Sequence, residues 1–223
     1  MILLILNKSS WHRLGDAVAG LGVGLYQPRS RGTVRLASGD AGASPRVRFG
    51  MLTDPADAAR MVLGLRLALG LMQDEAVRPL RNELFTAAYS QTVRRLNRPG
   101  TASRVGTLLL AAALDGPSRI RRALIRHGVA GGEVDETQMS SEDWLTSTVA
   151  RRTFGMYHPA GSCRMGGPED PDAVVDERCV VRGVDGLSVV DASVMPTLVR
   201  GTPNLPVMMI AERAADALIG RPA

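Results

Sequence analysis

From about residue 153 onward the chain changes character, and this change limits its fold more than any other feature. Gly, Pro and Val dominate there, strand-like runs stand at 173–175, 179–182 and 187–190, and a helical pattern returns only at about 205–219. Glycine and proline interrupt regular elements, so this region reads as short strands and tight turns closed by one terminal helix. What precedes it is mostly helical. Asp54-Pro55 offers an N-cap side chain and a proline for the first turn, and Val62, Leu65, Leu69 and Met72 recur at helical spacing up to about Met72. Further helices are expected over 80–96, 108–114 and 118–127, and one capped by Ser141 that carries Trp144, Leu145 and Val149. Polar stretches at 97–103 and 128–137 read as linkers. Thr33–Leu36 and Arg46–Phe49 alternate on either side of the loop-forming Ser38–Gly42, which predicts an antiparallel pair. Residues 8–24 begin as a helix that Gly20, Gly22 and Gly24 break. That glycine stretch lacks the preceding strand and following helix of a phosphate-binding loop and is read as a flexible turn.

Bulk properties remove several classes of function. The net charge is +5 and the pI about 10, but the arginines are scattered. The densest cluster, Arg119, Arg121, Arg122 and Arg126, is short, and aromatic residues make up only 4%, so nucleic-acid binding is not expected. Cys163 and Cys179 are too few for a disulfide scaffold, and a bridge between them is not expected in a reducing compartment. The three histidines lie far apart with no CxxC or HxxxH, so no metal site is expected. Met1–Leu6 is too short for a secretory leader and no apolar run approaches a membrane span. The expected location is cytoplasmic.

The chemistry concentrates in three late segments. In Tyr157-His158-Pro159-Ala160-Gly161-Ser162-Cys163-Arg164-Met165-Gly166, proline pins the backbone beside the histidine and Gly161 permits close approach by another group. A titratable ring on a rigid loop suits a general base, although a lone histidine is more often structural. Gly186–Pro196 reads as a buried strand ending at Asp191 and turning at Ala192. Gly201–Glu212 is a loop leading into a helix just after Asn204. Such a helix aims its first N–H groups and positive dipole end at whatever binds there, an arrangement suited to an electron-rich ring. The plainer alternative is a strand–loop–helix corner with Asn204 as the N-cap.

Together and in this order, the His158–Gly166 run, the Val-Val-Asp-Ala-Ser-Val-Met-Pro run and the Asn204-Leu205-Pro206-Val-Met-Met-Ile-Ala-Glu run resemble the C-terminal signature of the glucose–methanol–choline (GMC) family of flavin oxidoreductases. Pro28-Arg29-Ser30-Arg31-Gly32-Thr33-Val34-Arg35-Leu36 and the helix start Thr53-Asp54-Pro55-Ala56-Asp57 resemble earlier segments of the same family. The likeness runs from about 25 to 221 and is weakest between about 97 and 138. It implies FAD as cofactor and a small-molecule alcohol as substrate, with His158 as the base and Asn204 as the second catalytic position. It also implies that Asp191, Ala192, Asn204, Leu205 and Pro206 face the flavin. Arg164 reads as a structural partner of a carboxylate and Cys163 as a small packed residue.

The implied fold class is α+β. An antiparallel substrate-domain sheet carries flanking helices, and a C-terminal strand and helix return to an FAD-binding Rossmann-like domain. The Gly-x-Gly-x-x-Gly element of that domain does not occur in the sequence. The chain therefore reads as a C-terminal half, with residues 1–24 as a remnant or linker, 25–157 as substrate-domain sheet and helices, and 158–223 as the catalytic, flavin-facing segment. The mostly apolar final helix is expected to expose a patch. Three readings follow: an enzyme part completed by a separate N-terminal FAD-binding polypeptide, a truncated inactive product, or a non-enzymatic module that binds a small molecule or protein.

Overall fold

The computed structural model describes residues 1–7, 17–86, 100–129, 136–156 and 158–220. The chain divides into two compact units, Met1–Gly24 with Ala58–Arg152 and Leu25–Asp57 with Thr153–Ala223. The fold is mixed, with helices and small antiparallel sheets.

In the first unit, β1 (Ile2–Asn7) pairs antiparallel with β2 (Ala19–Gly24), in a register that sets Ile2 opposite Gly24 and Leu4 opposite Gly22. This corrects the flexible-turn reading of Gly20–Gly24. The apolar run at the N-terminus supplies a partner strand, and that pairing overrides glycine's low strand preference. The helix expected over 8–24 falls partly on residues 8–16, outside the described residues, and its end at 19–24 is strand.

Helix α1 (Pro55–Gln73) opens with the Asp54 carboxylate accepting the Ala56 N–H at 2.8 Å. Its Val62 and Leu69 are buried, in keeping with the spacing. The helix expected over 80–96 does not begin there: residues 81–86 are irregular, and 87–99 lie outside the described residues. Arg81 is extended because its side chain is claimed elsewhere. Its Nε donates to the Met72 carbonyl at 2.6 Å, and its Nη atoms hold the two Glu136 oxygens at 2.9 Å each. Helix α2 (Thr101–Leu114) and α3 (Ser118–Leu124) flank the Asp115–Pro117 turn, and a π-helical turn continues over Ile125–Val129. Leu114 and Ile125 are buried together against Val18, Phe85 and Leu110. Beside them Arg121 and Glu83 form an ion pair. Helix α4 (Glu142–Arg152) is capped by Ser141, whose Oγ accepts the Trp144 N–H at 3.3 Å, and it buries Trp144, Leu145 and Val149.

In the second unit, β3 (Thr33–Arg35) pairs with β4 (Arg46–Arg48) as expected. Gly32 fits because nothing larger does: a Cβ there would lie 2.0 Å from the Arg48 carbonyl oxygen. Ser30 joins the preceding loop to the start of α1. Its N–H and Oγ each donate to Asp57 Oδ2 at 2.7 Å, and its Oγ accepts the Asp54 N–H at 3.1 Å. Asp57 is 1% exposed, and a carboxylate so buried needs such donors.

The strand-like runs of 173–190 are reduced to isolated bridges, Met165 with Val175, Val175 with Val181, and Val180 with Ser188. Main-chain bonds still join them, as from the Asp176 N–H to the Val180 carbonyl at 3.0 Å and from the Val189 N–H to the Cys179 carbonyl at 3.0 Å, but a side chain interrupts the ladder. Asp176 Oδ1 accepts both the Arg178 and Val180 N–H groups at 2.9 Å, and Cys179 adopts a left-handed φ of 66°. Val175, Cys179, Val194 and Ala214 form the buried cluster beneath, with Met165, Val181, Val189, Val190 and Ile210 packed on it. Helix α5 (Asn204–Leu218) closes the chain and, as expected, leaves Leu205, Met208, Met209 and Leu218 exposed.

Two expectations follow. Gly32→Ala forces the β3–β4 backbones apart and should cost roughly 1–3 kcal/mol or more; a urea midpoint equal to that of the unchanged chain would contradict the close approach. The second concerns acid. Salt-bridging to Arg81 holds the Glu136 carboxyl below its ordinary value; burial opposes ionisation of Glu83, but Arg121 outweighs it and the shift is again downward. Both carboxyls therefore stabilise the fold above their ordinary pKa of 4.5, and that stability is lost as pH falls from there through their folded values. Urea midpoints measured from about pH 6 to about pH 3 should fall, and less steeply in Glu83→Gln/Glu136→Gln, which starts less stable.

Candidate active site

The loop that follows His158 is fastened to the Asp191–Met195 turn through the main chain. The Gly161 N–H donates to the Ala192 carbonyl at 3.1 Å, Cys163 N–H to Ser193 at 2.9 Å and Met165 N–H to Val194 at 2.8 Å. Gly161 adopts φ +78°, and a Cβ there would stand 3.2 Å from the Met195 carbonyl oxygen. Close approach and a left-handed backbone both require glycine at this position. Arg164 turns away to pair with Asp170 at 2.7 Å and Asp172 at 3.4 Å, the structural role its place in the motif suggested. Cys163 is half-buried and Cys179 buried, and both are free thiols. Burial, followed by the charge of Asp176, pushes the Cys179 thiol up, which keeps it protonated and inert.

Asp191 sits at the N-cap of a 3₁₀ turn over Ala192–Val194, and its side chain accepts the Ser193 N–H at 2.7 Å. The carboxylate is exposed, Ala192 is half-buried, and Val194 beneath is fully buried.

The loop into α5 is held from a distance. Gln27 Nε2 donates to the Leu198 carbonyl, and Arg200 Nε donates to Gln27 Oε1 at 3.1 Å. Gln27 was not singled out in the sequence, where no spacing rule connects positions so far apart. Helix α5 then starts at Asn204 with Pro203 as its N-cap, and no side chain caps it. Asn204 is therefore the first helical residue rather than the cap: Pro203, its own backbone already in the right-handed helical region, is the boundary residue, and its carbonyl accepts the Val207 N–H at 2.9 Å. Asn204 is exposed, Leu205 is 72% exposed and Pro206 is half-buried.

His158 is exposed as well, and among the described residues neither its ring nor the Asn204 amide makes a hydrogen bond or ion pair. Both polar heads are thus open to a ligand. The three segments share one support: the His158 loop is bonded to Ala192–Val194, and α5 packs Ile210 and Ala214 on the cluster that contains Val194. The α5 N-terminus presents first-turn N–H groups without a side-chain cap, and Leu205 and Ala192 add apolar surface nearby in sequence. That donor set fits an electron-rich, flat ring such as a flavin. No group of three or more His, Cys, Asp or Glu among the described residues is arranged to hold a metal ion, and no helix among them is long and apolar enough to cross a membrane.

The chain is similar to known proteins in sequence and fold. The profile described as GMC oxidoreductase matches residues 28–211. An uncharacterized GMC-type oxidoreductase in the thcA 5' region of Rhodococcus erythropolis is 31% identical over 201 residues, covering 90% of this chain and 29% of the relative. The 5-(hydroxymethyl)furfural oxidase of a Methylovorus species is 29% identical over 211 residues, covering 93% of this chain and 33% of its own. Among solved structures, pyridoxine 4-oxidase from Mesorbium loti superposes with a TM-score of 0.55 at 25% identity, over 89% of this chain and 29% of that one. The chain thus spans 29–33% of the length of these relatives. With its motifs, its fold and the matched residues 28–211 in agreement, the chain belongs to the GMC oxidoreductase family.

Proposed function

We propose that this chain supplies the substrate-facing side of an FAD-dependent enzyme that oxidises the CH–OH group of a small alcohol. The observation that carries this reading is the pair of exposed polar heads, His158 and Asn204, on segments anchored to one buried cluster. Relatives named as oxidases of 5-(hydroxymethyl)furfural and of pyridoxine agree with it.

Bound FAD supplies the acceptor for the hydride that leaves the carbinol carbon. A ring nitrogen of His158 takes the hydroxyl proton, so the alcohol oxygen is left to form the carbonyl. Asn204 cannot take a proton. Its Nδ2 donates a hydrogen bond to the substrate oxygen, which orients the carbinol and stabilises charge as the proton departs. Asn204, Leu205 and Pro206 at the start of α5 would hold the edge of the flavin ring, and Asp191 and Ala192 would serve the ribityl and pyrophosphate part, one Asp191 oxygen being fixed by the Ser193 N–H. The ADP part of the cofactor would be held by a Gly-x-Gly-x-x-Gly element, which these 223 residues do not include.

In the FAD-loaded, completed enzyme, His158→Ala should slow flavin reduction by alcohol about 100-fold or more, as expected for loss of a general base. Asn204→Ala should slow the same step by about 100-fold while leaving flavin content intact. Rapid-mixing absorbance of the flavin measures both, and an unchanged rate in either variant removes that residue from the chemistry. The chain purified alone should be colourless, and a yellow chain bleached by alcohol would refute the need for a separate ADP-holding segment.

A further inference from the structure

One surface of the first unit has no part in the proposed chemistry. Helix α2 buries Ala111 and Leu114, the π-helical turn after α3 buries Ile125, Leu110 is half-buried beside them, and the rest of α2 and α3 is largely left in solvent. On α2 the outward stripe is apolar where a solvated helix would be polar: Val105 is 57% exposed, Leu108 50% and Leu109 67%. On α3 Ile120 is 52% exposed, and on the same short segment Arg119, Arg122 and Arg126 with Ala123 and His127 line a shallow hollow of about 370 Å³. Residues 101–129 contain five arginines and one acidic residue, Asp115. Of the five, Arg121 is taken by Glu83 and Arg122 lies 3.9 Å from the same carboxylate, while Arg104, Arg119 and Arg126 form no ion pair among the described residues.

We infer that the outward face of α2 and α3 docks on an anionic phospholipid surface, leucines and isoleucine entering the headgroup–acyl boundary and arginines meeting lipid phosphates. The pairing of an apolar stripe with a basic one is what such a boundary selects. A second copy of the chain suits this surface less well, because a two-fold contact would bring the same basic patch from both copies to one interface with no acidic partner to offset it. Docking of this kind needs no spanning helix, and it is independent of the reading of His158 and Asn204.

The test is co-sedimentation of the full chain with vesicles of phosphatidylcholine alone or of phosphatidylcholine mixed with phosphatidylglycerol. Binding should require phosphatidylglycerol and weaken as salt is raised. Reversing charge in R119E/R122E/R126E should lower partitioning by about 100-fold, about five-fold for each arginine charge removed. Leu108→Gln/Leu109→Gln should also weaken it, with circular dichroism confirming that both variants stay folded. Failure to bind the anionic vesicles at low salt overturns the inference. So does binding that survives both variants but is lost in Met208→Ser/Met209→Ser, which would assign it to α5. A concentration-dependent dimer abolished by the leucine variant, without vesicle binding, would identify the surface as a protein interface and overturn it equally.

Discussion

The hydrogen bonds from Gly161, Cys163 and Met165 to Ala192, Ser193 and Val194 hold together the part of the molecule on which its chemistry depends. They are main-chain bonds, so they fix backbone without committing the side chains in between. Ser162 is left exposed and Arg164 is free to reach Asp170. They also close over Val194 and Val175, both 0% exposed, so the bonds lie on an apolar base that excludes competing water. The same base takes Ile210 and Ala214 of α5, and in this way the loop after His158 and the helix starting at Asn204 acquire a common foundation.

A second constraint joins the early part of that unit to the late part. Residues 25–57 would be a loosely attached hairpin if β3 and β4 were their only structure. Two sets of polar links add to them: Ser30 and Asp57 form a buried network inside this stretch, and Gln27 ties it to the late part by reaching Leu198 and Arg200 just ahead of α5. The first stabilises because the buried carboxylate is satisfied, and hydrogen bonds to a charged group contribute more than neutral ones, about 1.5–3 kcal/mol each. The second sets where the α5 helix begins, since it holds the loop whose end is Pro203. The serine and aspartate of the early motifs thus meet each other, and the glutamine beside them steadies the later motif.

Much of this was legible in the sequence where local chemistry decides the outcome. Asp54-Pro55 started a helix and Ser141 capped another, because a side-chain oxygen and an imino ring act within one turn. Arg164 found its carboxylate six residues away. Failures came where a distant partner decides. Gly20–Gly24 is strand because Ile2–Leu6 lies beside it, and the helix expected from residue 80 does not start there because Arg81 is drawn to Glu136. The runs at 173–190 have strand composition, yet Asp176 takes up two N–H donors and the left-handed Cys179 bends the chain, so their pairing stops at isolated bridges. In the candidate site the motif residues could be named through the resemblance to the GMC family. Their common support on Val194 and the cap at Pro203 could not, since neither leaves a spacing to read.

The pairing of histidine with asparagine, rather than with a second histidine, has a mechanistic consequence within the proposed chemistry. An amide offers a donor and an acceptor but no titration, so the substrate proton has one destination, the ring of His158. The demand then shifts from a shared proton to geometry: the amide must hold the oxygen where that ring can reach its hydrogen, and small displacements are costly. Asparagine is short, and it meets such a demand best when its backbone is fixed. Asn204 stands at the first position of a fifteen-residue helix, behind a proline N-cap, and that helix is anchored further along by Ile210 and Ala214 on the buried cluster, so its backbone is held in the helix. Rigidity on the histidine side comes from a different source, Pro159 and the Gly161 bond to Ala192, so the two groups are positioned by separate devices that share one core.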